Sequence, residues 1–232
     1  MNTITNPDIN AIKNSIIFKD IDEKDILPML GCLSPTKKSY KKGSYILNQG
    51  EYIDFICLII SGSVRIENID VWGNRKIMSE LAKSDIFAES YACVTNEPLM
   101  VDAIASSDCE ILTMNMNKVM TTCPSSCNFH NKLIKNMLSV FAMKNIAFTR
   151  KIEHITQKNT REKVLSYLNY MSSKFGSTSF EIPFNRQQLA DYLSVERSAL
   201  SSELSKMQAD GLISYKKNKF TLHIKNTATE HL

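Results

Sequence analysis

The pattern of apolar and polar positions is clearest near the C-terminal end of the chain, between residues 185 and 207. Apolar residues recur there every three or four positions, the spacing of one face of a helix. They form two groups, Leu189, Ala190 and Leu193, then Leu200, Leu204 and Met207. Asn185 and Gln188 form a capping-box variant before the first group. The pattern therefore predicts two short helices joined by the turn Ser194–Arg197.

The second predicted helix begins with small polar side chains and one arginine. The residues that lie off its apolar face are Arg197, Ser198, Ser201 and Ser202. Such a surface suits a helix that enters the major groove of DNA with its N-terminal end. Residues 211–224 then predict a β-hairpin with a basic tip. A helix-turn-helix followed by a hairpin is typical of a winged DNA-binding unit. The plainer alternative is an ordinary helical hairpin on a protein surface.

Charge is distributed unevenly along the chain. The whole sequence carries 28 Lys and Arg against 24 Asp and Glu, a net charge of +4. Residues 157–232 hold 11 basic and 7 acidic residues, whereas residues 1–156 hold 17 of each. A neutral N-terminal region and a basic C-terminal region are expected when only the C-terminal region contacts the phosphate groups of a nucleic acid.

Between residues 37 and 116 the chain breaks into short β-rich runs separated by turn signals. The runs are 45–47, 55–60, 63–69, 75–81, 100–105 and 109–114, with a turn at Trp72–Asn74. Short strands at this spacing favour an antiparallel sandwich or roll. Residues 9–31 look helical, with Asp22 as the expected cap of a helix over 23–30. Cys57 and Cys109 fall inside apolar runs and are expected to be core residues.

Three short motifs of this region make the interpretation more specific. Asn48–Glu51, Leu58–Ile66 and Asp85–Ser90 resemble the cyclic-nucleotide-binding β-roll of the catabolite activator/FNR family. With the C-terminal unit, the resemblance covers roughly residues 15–225 in the same order. It implies an α+β fold with a jelly-roll-like antiparallel β-roll over 1–118, a long dimerisation helix over 119–156 and a winged helix-turn-helix over 157–232.

The implied function is that of a homodimeric bacterial transcription regulator and not of an enzyme. Its partners would be palindromic double-stranded DNA, a second copy of itself, a small effector and, if it activates transcription, RNA polymerase. Without a secretory signal or an apolar run long enough to span a bilayer, we expect a cytoplasmic protein with no membrane partner.

A heptad pattern supports the dimerisation helix. At alternating steps of four and three lie Ile134, Leu138, Phe141, Asn145, Phe148, Ile152 and Ile155. A single polar residue such as Asn145 in an apolar seam fixes register and favours two strands. The alternative is an amphipathic helix that packs only on its own domain.

The resemblance also implies the residues that contact DNA. Arg197 is the expected base contact, because a bidentate arginine–guanine pair is the commonest specific one. Beside it on the same helix lie Ser198, Ser201 and Ser202, while Arg186 and Gln187 resemble phosphate contacts. Lys216, Lys217 and Lys219 of the hairpin are expected to contact phosphate. This chain departs from the family pattern at Ser194, where the turn usually has glycine, and at Ser202 and Glu203.

The corresponding effector pocket would comprise Ala88, Glu89, Leu99, Met100 and Asn145. Family members that bind cyclic AMP hold its phosphate with an Arg-Ser pair, and Leu99 and Met100 stand in those positions. A buried phosphate would lose its hydration there without gaining a counter-charge. We therefore expect an effector other than cyclic AMP, or none.

The sequence also bears on three other classes of protein, each of which needs its own ligand residues. A metal-binding cupin needs several histidines inside the barrel, but the first histidine is His130. An iron–sulfur cluster of the FNR kind needs a group of N-terminal cysteines, and only Cys32 lies there. A haem-dependent sensor of nitric oxide or another gas stays open, with His130, Met137 and Met143 as candidate ligands. Cys123 and Cys127 could form a thiol switch, although no basic neighbour would lower their pKa values.

Overall fold

The computed structural model describes residues 6–69, 75–94, 96–121 and 128–223. It divides the chain into two compact units, residues 1–142 and 143–232. The expected turn at Trp72–Asn74 and the possible thiol pair Cys123 and Cys127 lie outside the described residues. Within the described ranges, no helix is long and apolar enough to cross a membrane.

The first unit contains short helices around two β-sheets. Its helices are α1 (Asn6–Lys13), α2 (Glu23–Leu33), α3 (Glu89–Cys93), α4 (Met116–Met120) and the first half of α5 (Asn128–Ile155). Its strands are β1 (Thr36–Tyr40), β2 (Tyr45–Leu47), β3 (Phe55–Ser61), β4 (Val64–Ile69), β5 (Arg75–Leu81), β6 (Ile86–Phe87), β7 (Asp102–Ala105) and β8 (Cys109–Asn115). The strands pair antiparallel in the orders β1-β8-β3-β6 and β2-β7-β4-β5, which confirms the predicted roll.

Strand β3 is apolar from Phe55 to Ile60 because it is buried on both faces. Ile56, Leu58 and Ile60 pack in one core with the N-terminal helices and α5. Cys57 and Ile59 pack in the other core, inside the roll. The continuous apolar run in the sequence therefore reflects two cores that share one strand.

The N-terminal helical segment is more broken than the sequence predicts. A 3-10 turn at Ile16–Phe18 separates α1 from α2. Asp22 does occupy the position before α2, but its side chain accepts no capping hydrogen bond, so the predicted cap is wrong in that respect. Instead, the backbone carbonyl of Asp22 accepts from Asp25 N at 2.9 Å.

The second unit contains the second half of α5 and the predicted DNA-binding elements. They are α6 (Thr160–Phe175), β9 (Ser179–Glu181), α7 (Arg186–Leu193), α8 (Arg197–Ala209), β10 (Ile213–Lys216) and β11 (Lys219–Leu222). The strands form a small sheet in the order β10-β11-β9. The helix-turn-helix and the hairpin that follows it are thus present as predicted.

Candidate nucleic-acid interface and effector pocket

Helix α7 is held at both ends by local hydrogen bonds. Asn185 Oδ1 accepts from Gln188 N at 3.0 Å, and Gln188 Oε1 accepts from Asn185 N at 2.8 Å, so the predicted capping box is formed. At the other end, Ser194 adopts the left-handed conformation, with φ of 53°. Glycine adopts that conformation without steric cost, which explains why the family pattern has glycine where this chain has Ser194.

Helix α8 presents polar side chains at its start and buries its apolar side. Leu200, Leu204 and Met207 are fully buried in the core of this unit, as predicted. Arg197, Ser198 and Ser202 are exposed, while Ser201 is half-buried. The exposed first turns of α8 can therefore enter a DNA groove while the opposite side of the helix stays anchored.

An ion-pair cluster that the sequence did not reveal fixes α8 against α6. Arg161 Nε donates to Glu203 Oε1 at 2.6 Å, and a second guanidinium nitrogen lies 2.7 Å from Asp210 Oδ2. The hydrogen bond to Glu203 raises the pKa of Arg161. Glu203, one of the departures from the family pattern, thus serves as the partner of Arg161.

The hairpin and the start of α7 supply further positive charge. Lys216 and Lys217 are exposed, whereas Lys219 Nζ lies 3.9 Å from Glu181 Oε2. The Arg186 guanidinium stacks 4.9 Å from the centroid of the Tyr215 ring, so this side chain also braces α7 against β10. The exposed Gln187 donates to Asp191 at 2.9 Å. Of these predicted phosphate contacts, all except the half-buried Arg186 are exposed.

Helix α5 carries more apolar surface than its own chain covers. Leu133, Met137 and Val140 are buried in the core of the first unit. The predicted seam lies on another side of the helix, with Leu138, Phe148 and Ile152 exposed by 58%, 66% and 57%. Within it, Asn145 is exposed, Ile134 and Ile155 are half-buried, and Phe141 packs partly on the first core. Met143 and Ile146, which the heptad pattern omitted, are also about half exposed.

The proposed effector residues fall in different environments. Leu99 is buried inside the roll among apolar side chains, and Ala88 packs against the same core. Glu89 is also buried and accepts from Ser90 Oγ at 3.3 Å. Burial and the nearby Glu89 carboxylate raise the pKa of the Cys57 thiol. Arg65, on β4, is paired with Glu67.

One member of that predicted pocket does not point into the roll. Met100 is 59% exposed, so its side chain faces solvent and not the roll interior. The adjacent Leu99 is buried instead. Asn145 lies in the second unit and is exposed.

The haem candidates are poorly suited to holding a metal. His130 and Met137 are almost completely buried, and Met137 packs within the apolar core of the first unit. An axial ligand must instead face a cavity that a porphyrin can enter, and the packing of Met137 in this core disfavours that role for it. Met143 is exposed. Among the described residues, no group of three or more His, Cys, Asp and Glu side chains could hold a metal ion.

The described cysteines fit a structural interpretation. Cys57 and Cys109 are buried in the roll, as predicted, and both are free thiols. Cys32 and Cys93 are exposed free thiols in the first unit. Burial raises the pKa of Cys93, which makes its thiol less reactive.

Two family profiles match different parts of the chain. The profile described as "Cyclic nucleotide-binding domain" matches residues 37–125. The profile described as "Crp-like helix-turn-helix domain" matches residues 162–229. These ranges contain the roll and the helix-turn-helix with its hairpin, respectively.

Full-length relatives join the same two parts in the same order. The chain is 21% identical over 196 residues to electron transport regulator A of Shewanella oneidensis, covering 82% of this chain and 76% of that protein. It is 24% identical over 217 residues to the anaerobic regulatory protein of Bacillus subtilis, covering 88% and 86%.

Solved structures show the same fold at low sequence identity. CprK complexed with OCPA is similar with a TM-score of 0.64 and 14% identity, over 87% of this chain and 92% of CprK. The c-di-GMP responsive regulator CLP of Xanthomonas campestris gives a TM-score of 0.57 and 16% identity, over 88% of this chain and all of CLP.

Proposed function

Since the chain is a DNA-binding transcription regulator of the CRP/FNR family, we propose that it binds a two-fold symmetric operator as a homodimer. In this proposal each α8 contacts bases through Arg197, Ser198, Ser201 and Ser202. Lys216, Lys217 and Lys219, with Arg186 and Gln187, contact the DNA backbone. The roll responds to a signal other than cyclic AMP.

The observation that carries the proposal is the two-sided character of α8. Its apolar side is fully buried, while Arg197, Ser198 and Ser202 on its first turns are exposed. A helix anchored in this way keeps a fixed orientation, and an exposed arginine in its first turn has the reach to form a bidentate pair with guanine.

Dimerisation is supported by the exposed apolar stripe of α5. A helix that is apolar on a second side normally covers that side with another element. The family is typically dimeric, and a second copy of α5 brings the same stripe. The two α8 helices of a dimer would then meet half-sites about one DNA turn apart, roughly 34 Å.

The proposed effector specificity rests on the lining of the roll. Leu99, where relatives that bind cyclic AMP have an arginine, is buried among apolar side chains, and Arg65 is paired with Glu67. An apolar effector suits this lining better than a phosphate does. A haem-dependent sensor is the second candidate from the sequence, but the burial of His130 and Met137 argues against it.

Selection of operators from a random double-stranded DNA library by the full-length protein tests the proposal. Enriched sequences should contain two inverted half-sites about 10 base pairs apart, bound by two chains per duplex. Equal affinity for selected and random DNA would contradict sequence-specific binding. A visible absorption spectrum of the purified protein separates the effector classes, because a Soret band would indicate haem.

A further inference from the structure

His154 lies in the last turn of α5, inside the second unit, and is only 2% exposed. Its Nδ1 is 2.8 Å from Ser166 Oγ of α6. Its Nε2 is buried and has no hydrogen-bond partner among the described residues. Since most buried polar atoms have a partner, this imidazole needs an explanation.

The ring lies among tyrosines of two neighbouring helices. Tyr167 and Tyr170 of α6 each lie 5.7 Å from it between ring centroids, and Tyr192 of α7 lies 6.2 Å away. The His154 side chain thus contacts both α6 and α7 from the end of α5. A single histidine on a helix carries no distinctive pattern in the sequence that would predict this role.

The charged groups around His154 do not favour an imidazolium. Arg150 and Lys151 of α5 stack on Tyr170 and Tyr192, at 4.9 and 5.6 Å from the ring centroids. Burial lowers the pKa of His154; the Glu153 carboxylate opposes this effect, and Arg150 adds to it. The groups of α6 and α7 in contact with the ring are Ser166 and the three tyrosines, and none of these four side chains is a carboxylate.

We propose that His154 is a positioning residue for operator binding, which holds the end of α5 against α6 and α7 only while its ring is uncharged. Protonation puts a charge into this packing and loosens it. A dimer must place two recognition helices at a fixed spacing, so the loosening weakens operator binding more than binding to random DNA. The inference rests on the proposed dimeric operator binding.

The test is the affinity for operator and for random DNA between pH 5.5 and pH 8, at constant ionic strength. Because the pKa of His154 is below its ordinary value of about 6.5, operator affinity should be full above that pH and fall as the pH decreases. The fall should reach up to about tenfold per pH unit for each protomer. Protonation of other groups on the protein should have the opposite effect on affinity, since added positive charge strengthens binding to the DNA phosphates.

Two variants distinguish the contribution of His154 to the pH dependence of operator affinity from that of other ionisable groups. His154→Asn keeps an amide near Ser166 but does not titrate, so its operator affinity should lose the acid-dependent fall. His223→Asn is the matched control, because His223 ends the hairpin and bonds to Ser214 at 2.7 Å. This control should keep the fall.

An unchanged pH profile in His154→Asn would overturn the inference, as would a ratio of operator to random binding that does not vary with pH. If the variant does not fold, NMR titration of His154 in the wild type decides. A pKa at or above the ordinary histidine value contradicts the inference. Absence of operator binding at every pH would instead count against the proposed function.

Discussion

Arg197 is exposed at the N-terminal end of α8, one turn before the buried Leu200. If it pairs with guanine, Arg197→Ala should cost about 1–3 kcal/mol of operator binding and relax specificity at one base pair in each half-site. Binding to random DNA should change little. Fluorescence anisotropy with operator variants measures both effects, and equal losses on operator and random DNA would refute the assignment.

Lys217 provides the matched comparison, because it is exposed at the hairpin turn and is expected to meet phosphate alone. Lys217→Ala should weaken binding to all sequences alike. It should also reduce the salt dependence of the logarithm of the binding constant by roughly one unit, since one fewer phosphate is neutralised. A change in base preference would show that Lys217 contacts a base.

Ser194 has a left-handed backbone with φ of 53° between α7 and α8. This conformation costs an L-residue about 1–2 kcal/mol. Glycine avoids that strain but loses more conformational entropy on folding, which offsets part of the gain. Ser194→Gly should therefore stabilise the unit by about 0.5–1 kcal/mol, measured by hydrogen exchange of amides in α7 and α8.

Ser173→Gly is the control for that substitution. Ser173 is exposed within α6, where glycine lowers helix stability by roughly 0.5 kcal/mol. The two substitutions should thus have opposite signs. Destabilisation by Ser194→Gly would mean that the serine side chain contributes more than its backbone strain costs.

At the scale of whole elements, the sequence predicted a helix or strand best where the hydrophobic pattern and the local capping residues agree. Asn185 and Gln188 predict the start of α7, because both capping hydrogen bonds join residues only three positions apart in the sequence. Arg161 and Glu203 gave no such signal, since the two are 42 residues apart and meet only through tertiary packing. The exposed Met100 shows the same limit: an alignment position does not determine whether a side chain points into the roll or into solvent.

The stripe on α5 leads to a prediction for dimerisation. Leu138→Glu or Phe148→Glu would bring two like charges together in an apolar interface, at a cost of several kcal/mol. Sedimentation should then show monomers, and operator binding should fall with dimer content. Ser139→Glu is the matched control, because Ser139 is exposed beside Leu138 but lies outside the heptad positions. A Leu138→Glu protein that remains dimeric would place the interface elsewhere.

Asn145→Val tests whether the polar member of the seam fixes its register. Valine would remove an exposed amide from a seam position and add apolar surface. The dimer should become more stable, while higher oligomers become possible. Analytical ultracentrifugation over a range of concentrations measures both outcomes. An unchanged dimer stability would indicate that Asn145 does not lie in the interface.

At the scale of the whole molecule, the proposed response to a signal requires two states that an effector stabilises unequally. An effector that binds the folded roll also raises its resistance to unfolding. The identity of the effector can therefore be tested by thermal unfolding of the full chain, without knowledge of the operator. The choice of compound follows from the residues that line the roll.

Cyclic AMP is the compound that the lining argues against. Leu99 offers no charge for its phosphate, and Arg65 is already paired with Glu67, so burying the phosphate would leave it without hydration or counter-charge. A true ligand at 100 times its dissociation constant would add about 2.7 kcal/mol, enough to raise Tm by several degrees. With cyclic AMP in large excess we expect no such shift. A shift of that size in the wild type that disappears in Glu89→Gln would contradict this prediction, because Glu89 holds the position that takes the ribose hydroxyl in relatives that bind the nucleotide.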